Sequence, residues 1–246
     1  NFLSHNGNCD LNVDFNGIID GRHYVGDAQG TINDLDLRAF KLYDGKCEGK
    51  TRFAGRFDID LAQKRYNGNV TLTDLDWTVD DNRFVAHETT ANFNADDDET
   101  HITLDNEDNH LTLDAQVGLE AFVQSMQHVS KLATEQFRER SLNIDTLQHS
   151  LPPFPFQAKL GRDGLVQRFL ERYDMDFRSA ECTMGNDVDN VNADLILTGF
   201  THGSTLIDTL TFHAYELEEY LAFNTHMGNR RGTMDEFAQV DIEGGA

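Results

Sequence analysis

Three acidic runs are the first places in this chain where chemistry could sit: ADDDE at Ala95–Glu99, DNEDN at Asp105–Asn109 and NDVDN at Asn186–Asn190. Clustered carboxylates are hard oxygen donors and suit calcium. None of the three has the glycine and distal glutamate of an EF-hand loop, so acidic turns between strands are the plainer reading. The ten histidines are scattered without HExxH or equivalent spacing. His87 beside Glu88 and His101 beside Thr100 lie in alternating runs, where neighbours point to opposite faces of a strand. Ser, His and Asp are all present, but no GxSxG, and the glycine-rich ends lack the order of a phosphate loop. Cys9, Cys47 and Cys182 are far apart and have no CxxC spacing; one disulfide with a leftover thiol and three small core residues both stay open. The expectation is a protein that is not an enzyme, with no catalytic residues, no metal and no cofactor.

The elements that would carry these side chains are mostly strands. From Asp10 to Val117 the apolar residues alternate with a period of two. LNVDF sets Leu11, Val13 and Phe15 on one face, and RFDIDL does the same with Phe57, Ile59 and Leu61. Val70–Leu72, Trp77–Val79, Ile102–Leu104 and Leu111–Val117 continue the pattern. Such alternation means one dry face and one wet face. Turn signals fall between the runs, at Asn16–Gly17, Asp44–Gly45 and Asn67–Gly68. The wet face is mostly Asp, Asn and Thr. Asp and Asn are poor strand formers, so burial of the opposite face must hold the strands.

After Val117 the period changes. Leu119, Phe122, Val123, Met126, Val129, Leu132, Ala133 and Phe137 step by three and four, which predicts a long amphipathic helix. LPPFPF at Leu151–Phe156 holds all three prolines and reads as a hinge. A shorter helix follows, with Leu165, Val166, Phe169, Leu170 and Tyr173 along one side, and strands return from Met175. The division is therefore a β-repeat segment at 1–117, the amphipathic helix and its connector at 118–150, the proline hinge and short helix at 151–174, and a second β segment at 175–246. The polar face of the long helix mixes Glu, Gln, Lys and Arg, which favours packing on the sheet over lying on a membrane.

Composition narrows the function. The formal net charge is -23, from 43 acidic against 20 basic residues, and such a surface repels nucleic acid. No apolar run is long enough to span a bilayer. The chain opens NFLSHNGNCDLNVDF and closes QVDIEGGA, so both ends read as cut from something longer, with any anchor or targeting segment outside them.

One pattern recurs. TINDLDL at Thr31–Leu37 and TLTDLDW at Thr71–Trp77 share Thr-apolar-x-Asp-Leu-Asp-apolar forty residues apart, and TLIDTLTF at Thr205–Phe212 is a degraded third copy. With strands of about six to eight residues, that period would hold four or five strands, the mark of a quasi-one-dimensional β array. Chance recurrence of common strand residues is the alternative. The fold expected is mainly β: an elongated, curled antiparallel repeat sheet with one long and one short amphipathic helix inserted.

The stretch AFNTHMGNRRGTMDEFAQVDIEG at Ala222–Gly244, with DLILTGFTHGSTLIDTLTFHAYELEEYL before it, resembles the TamB branch of the AsmA-like proteins in its Bacteroidota form. GNRxGTMDEFA at Gly228–Ala238 carries most of that resemblance; the Thr31–Leu37 strand and LPPFPFQAKLGRDGLVQRFLERYDMDF are also similar. The resemblance implies a folded-over periplasmic sheet with an apolar groove (a β-taco), an inner-membrane anchor and a barrel-engaging end. This chain would be a middle piece lacking both ends. The family is implicated in moving phospholipids between the two membranes, and earlier in outer-membrane protein assembly. The implied partners are a phospholipid or other acyl-chain ligand and, through regions outside this chain, an outer-membrane barrel. The physics is congenial: a sixteen-carbon tail in water loses about 0.8 kcal/mol per methylene, or about 12 kcal/mol, and a dry trough removes most of that barrier.

The residues expected to line such a groove are Leu11, Val13, Phe15, Ile32, Leu35, Leu37, Phe57, Ile59, Leu72, Leu75, Trp77 and Val79. Two other readings stand beside the groove. One is a β-sandwich binding or adhesion module, for glycans or stabilised by calcium. The other is a scaffold or chaperone for outer-membrane proteins, with a filled core and working edge strands.

Overall fold

The computed structural model describes residues 2–6, 9–35, 47–79, 82–139, 144–186, 191–217, 220–229 and 239–245. Eight strands come first: β1 (Phe2–Asn6), β2 (Cys9–Asp20), β3 (His23–Leu35), β4 (Cys47–Asp60), β5 (Arg65–Val79), β6 (Asn82–Ala95), β7 (Thr100–Asn106) and β8 (Asn109–Ala115). Helices α1 (Leu119–Glu139) and α2 (Ile144–Ser150) intervene before β9 (Phe154–Leu160). Then come α3 (Leu165–Glu171), the short β10 (Met175–Asp176), β11 (Ser179–Asn186), β12 (Val191–His202), β13 (Thr205–Leu217), β14 (Tyr220–Gly228) and β15 (Gln239–Gly245).

All the strands belong to one antiparallel sheet. Its hydrogen-bonded path of 14 strands runs in chain order from β1 to β15, skipping only β10, which pairs with β12. The sheet is open. At roughly 4.8 Å per step the path is about 60 Å long, beyond the ten or so strands at which open sheets ordinarily curl or flatten. The mainly β expectation holds. The expected helices are present as α1 and α3; α2, which lies in the expected connector, makes a third.

The strands β2 to β6 have 12 to 15 residues, about twice the expected length. Forty residues therefore span the advance from β3 to β5, which is two strands and not four or five. The expected turns at Asn16–Gly17 and Asn67–Gly68 lie inside β2 and β5; Asp44–Gly45 lies outside the described residues. Tertiary pairing overrides the local turn preference because these glycines have a cross-strand use. An aromatic ring lies over each of several of them. Phe53 covers Gly30, Trp77 covers Gly49, Phe93 covers Gly68 and Phe223 covers Gly244. A side chain on the glycine would occupy the place of the ring. A Cβ on Gly49 would lie 2.4 Å from Trp77 Cγ and 2.8 Å from Trp77 Cα. Gly49→Ala is thus expected to destabilise the fold by about 1–3 kcal/mol, read as a lower urea midpoint with an unchanged slope.

The recurrent motif has a structural meaning. At its first copy Leu11 pairs with Ile32 but Asp10 with Asp34, leaving Asn33 as an extra residue in β3. At the second, Arg52 pairs with Thr73 but Lys50 with Asp76, so Asp74 and Leu75 together oppose Thr51. Both copies therefore carry a β-bulge inside the pattern, with the extra residue at the third position in the first copy and at the fourth or fifth in the second. Asp74 takes φ 52°, the left-handed region that Asp tolerates better than most residues. Buried Thr51 donates its hydroxyl to the Thr73 carbonyl at 3.1 Å, and Arg52 pairs with Asp74 on the outside. The bulge absorbs the three-residue step from Leu72 to Leu75, which in a regular strand would turn the second leucine to the wet face.

The segment read as a hinge contains a central strand. β9 joins β8 to β11, so the β segments on either side of the helices are one sheet. Proline is tolerated there because β9 pairs with β8 only as far as Phe156, one residue short of Pro155.

Candidate functional site

Because every strand alternates and every register is antiparallel, one parity of residues forms a single face across the whole sheet. One row crosses it through Phe15, Ala28, Gly55, Val70, Ala91 and Leu104. The row continues through Leu111, Ala158, Cys182, Leu195, Phe212, Thr225 and Ile242. A neighbouring row runs Phe57, Gly68, Phe93, Ile102, Leu113, Phe156 and Met184, and on to Phe223. The face is apolar from β2 to β15.

The structure brings the expected lining residues together here. Leu11 pairs with Ile32, Val13 with Gly30, Phe53 with Leu72, and Ile59 with Tyr66. Leu75, Trp77 and Val79 return to this face past the bulge. The helix α3 shows it, contacting both Phe84, opposite Trp77, and Asn106, which lies in the row of Leu72 and Thr89. Leu11, Val13, Ile32, Phe57, Ile59, Leu72, Leu75, Trp77 and Val79 are half-buried, and Phe15 is exposed. Leu35 stands in β3 opposite Cys9, but its side chain lies outside the described residues, as does Leu37 altogether. Phe53 and Val70, within the span of the expected lining, also belong to the face; that lining ended at Val79 and so left out Phe93, Leu104, Leu111, Leu195 and Phe212. Their signal, alternation at Ile102–Leu104, Leu111–Val117 and Val191–Leu197, was present.

Nothing among the described residues closes this face. The buried apolar side chains are Ala86, Ala95, Ala115, Ala158, Ala180, Ala214, Phe122, Phe154 and Phe177; no Leu, Ile, Val or Met is among them. Two interlocked sheet layers would bury large aliphatics in numbers. The helices instead sit at opposite strand ends. At one end Phe122 of α1 packs edge-on to Phe154 beside Ala115, with Met126 and Leu151 around them, while α1 further along meets α2. α1 therefore covers a corner and not the length of the sheet.

At the other end α3 is held by two buried asparagines. Asn106 donates to the Glu88 carbonyl at 3.0 Å and to Thr89 Oγ1 at 2.7 Å, and accepts from the Leu165 amide at 2.8 Å. Asn109 accepts from the Gly161 amide at 3.2 Å. These residues belong to the acidic run read as a turn, and their role in seating a helix left no mark in the sequence. Asn106→Ala would leave three groups without this partner, of which Thr89 is buried, so a loss of about 3 kcal/mol is expected, together with faster amide exchange across 161–171.

The opposite face is mostly polar, although exposed Ile18, Val25 and Ile196 lie on it. Asn16, Asp27, Arg56, Asn69, Asn92 and Thr103 form one row, tied by bonds such as Arg56 Nε to Asp27 Oδ1 at 2.9 Å and Asn92 Nδ2 to Thr103 Oγ1 at 3.0 Å. His101 pairs with Asp114, His110 with Asp105 and His213 with Asp194, each directly across a strand pair. A shallow hollow of about 700 Å3 lies on this side, lined by Asp14, Asn16, Asp27, Gln29, Arg56 and Asn69. In ADDDE the Asp96 carboxylate accepts the amides of Asp98 and Glu99 at 2.8 and 2.9 Å; those bonds hold it below the ordinary carboxylate value. Asn186 is buried and donates to the Leu151 and Pro152 carbonyls, while 187–190 lie outside the described residues. Among the described residues no group of three His, Cys, Asp or Glu is placed to hold a metal ion.

Cys182 sits in the apolar row, and burial with nearby Asp194 pushes its thiol up, so it stays protonated. No described helix is long and apolar enough to cross a membrane. Comparison of the chain with protein-family models, with curated proteins and with solved structures finds no match.

Proposed function

We propose that the chain carries acyl chains along its apolar face, as a periplasmic segment of an AsmA/TamB-like protein moving phospholipid between inner and outer membranes. The observation that carries the reading is an apolar face about 60 Å long on which no described Leu, Ile, Val or Met is buried. Left to water, such a surface is costly; a hydrocarbon guest removes the cost from both parties. The aromatic-over-glycine pairs keep the face smooth, so it offers sliding contact and no deep polar trap. In this reading an inner-membrane anchor and the region that engages an outer-membrane barrel belong to other parts of the protein.

Trp77 is the sole tryptophan and lies on the apolar face, which makes it a resident reporter. Phospholipid brominated along its acyl chains should quench its fluorescence, and the unbrominated lipid should not. Equal emission with both lipids at saturating concentration would remove the reading. A scaffold for outer-membrane proteins is the second reading, favoured by β1 and β15 each having a neighbour on one side alone among the described strands. It expects capture of unfolded barrel strands and no effect of bromine.

A further inference from the structure

Several cations of the sheet and its loops are matched with carboxylates, Lys50 and Arg83 with Asp76, Arg52 with Asp74, Arg56 with Asp27 and Arg162 with Asp176, while Arg65 of β5 and Lys159 of β9 have no ion pair among the described residues. Two more such cations lie close together in the chain at the end of α3: Arg168 in its last turn and Arg172 at its C-cap. Arg172 is stacked, with its guanidinium carbon 5.1 Å from the Phe169 ring centre and 5.5 Å from that of Tyr173. Both rings are exposed, Phe169 by 44% and Tyr173 by 50%. Phe169 in turn stacks on Phe84 at 6.5 Å, and Phe84 is the partner of Trp77 on the apolar face.

The rim of the apolar face therefore carries two exposed aromatic bodies and the stacked Arg172 guanidinium, with Arg168 four residues before it and Glu171 and Asp174 as chain neighbours, in a chain of net charge -23. An anion is repelled by most of this surface and has reason to settle here. A guanidinium presents its donors as a fork that fits the paired oxygens of a phosphate, and a stacked one is already oriented. Aromatic rings with an apolar body suit the boundary between hydrocarbon and water.

We propose that Arg168 and Arg172 form a headgroup seat for a phospholipid: the phosphodiester rests on their guanidiniums while its acyl chains pass Phe84 and Trp77 onto the sheet. This rests on the acyl-chain reading above and adds the class of headgroup and the side from which it sits.

The test uses the full chain, with Trp77 emission as readout and three probes: a short-chain phosphatidylglycerol, an uncharged alkyl maltoside of matching chain length, and inorganic phosphate. The double variant Arg168→Gln/Arg172→Gln is expected to lose at least tenfold in affinity for the phospholipid and nothing for the maltoside. Arg172→Lys, which keeps the charge without the fork, is expected to fall between them. Unchanged maltoside binding shows that the variants fold. Equal phospholipid affinity in wild type and double variant would overturn the seat while leaving the track standing. Wild-type protein that binds neither lipid probe would overturn the track and the seat together. Inorganic phosphate bound as tightly as phospholipid would make this a plain anion site and overturn the lipid assignment.

Discussion

Leu72→Asp is expected to lower phospholipid binding at least tenfold while leaving the sheet folded. Leu72 stands between Phe53 and Thr89 on the apolar face and is half-buried, so a carboxylate there reaches water when no guest is present. Under an acyl chain it would be trapped against hydrocarbon, at a cost of about 2 kcal/mol or more, which exceeds the ~1.4 kcal/mol of a tenfold loss. The comparison variant is Thr71→Asp, one residue away on the polar face opposite Thr90. It should bind lipid as wild type does. Loss in both variants would indicate damage to β5, and loss in neither would count against the track.

Deleting Asp74 is expected to disturb the sheet on the β6 side of β5. The bulge it forms with Leu75 lets Leu72, Leu75, Trp77 and Val79 share a face despite the three-residue step. With one residue removed, β5 alternates regularly against β4 and Leu75, Trp77 and Val79 stay on the apolar face, but β6, which pairs with β5 in one unshifted register on both sides of Asp74, is left with an extra residue at His87 or Glu88. Accommodating it costs a step of the β5–β6 pairing and the Arg52–Asp74 ion pair, about 1–3 kcal/mol. The urea midpoint should fall while Trp77 emission, on an unchanged face, stays as in wild type. Asp74→Gly, which keeps the bulge and accepts a positive φ, should leave both nearly unchanged. A deletion that shifts Trp77 emission to the red would show that β5 had turned over, against this account of the bulge.

These two residues also mark how far the sequence could be read. The dry face at Leu11, Val13, Phe15, Phe57 and Ile59 was legible because strict alternation has one structural solution. The repeat was legible as a repeat, but its meaning was not. A bulge is a relation between two strands, and Asn33 or Asp74 becomes an extra residue only against Leu11 or Thr51 of the neighbour. Strand length was misjudged for a related reason. Asn16–Gly17 and Asn67–Gly68 have turn chemistry locally, yet glycine also suits mid-strand places where a ring from the next strand lies flat, as Phe93 does over Gly68. The asparagines that seat α3 were hidden for a third reason. Asn106 and Asn109 flank an acidic hairpin turn, and only the three-dimensional arrangement brings Leu165 and Gly161 to them.

The central claim, that one face of this sheet is a track for acyl chains and the other is not, is tested most directly by neighbours of opposite parity. A photo-crosslinking residue is placed at Leu104 or Leu111 in one set of variants, and at Thr103 or Thr112 in another, with radiolabelled phospholipid as cargo. Leu104 pairs with Leu111 and Thr103 with Thr112 across the same hairpin, so position along the sheet is held constant. Lipid adducts are expected at Leu104 and Leu111 and not at Thr103 and Thr112. Equal labelling on both faces, or none on the apolar one, would contradict the account.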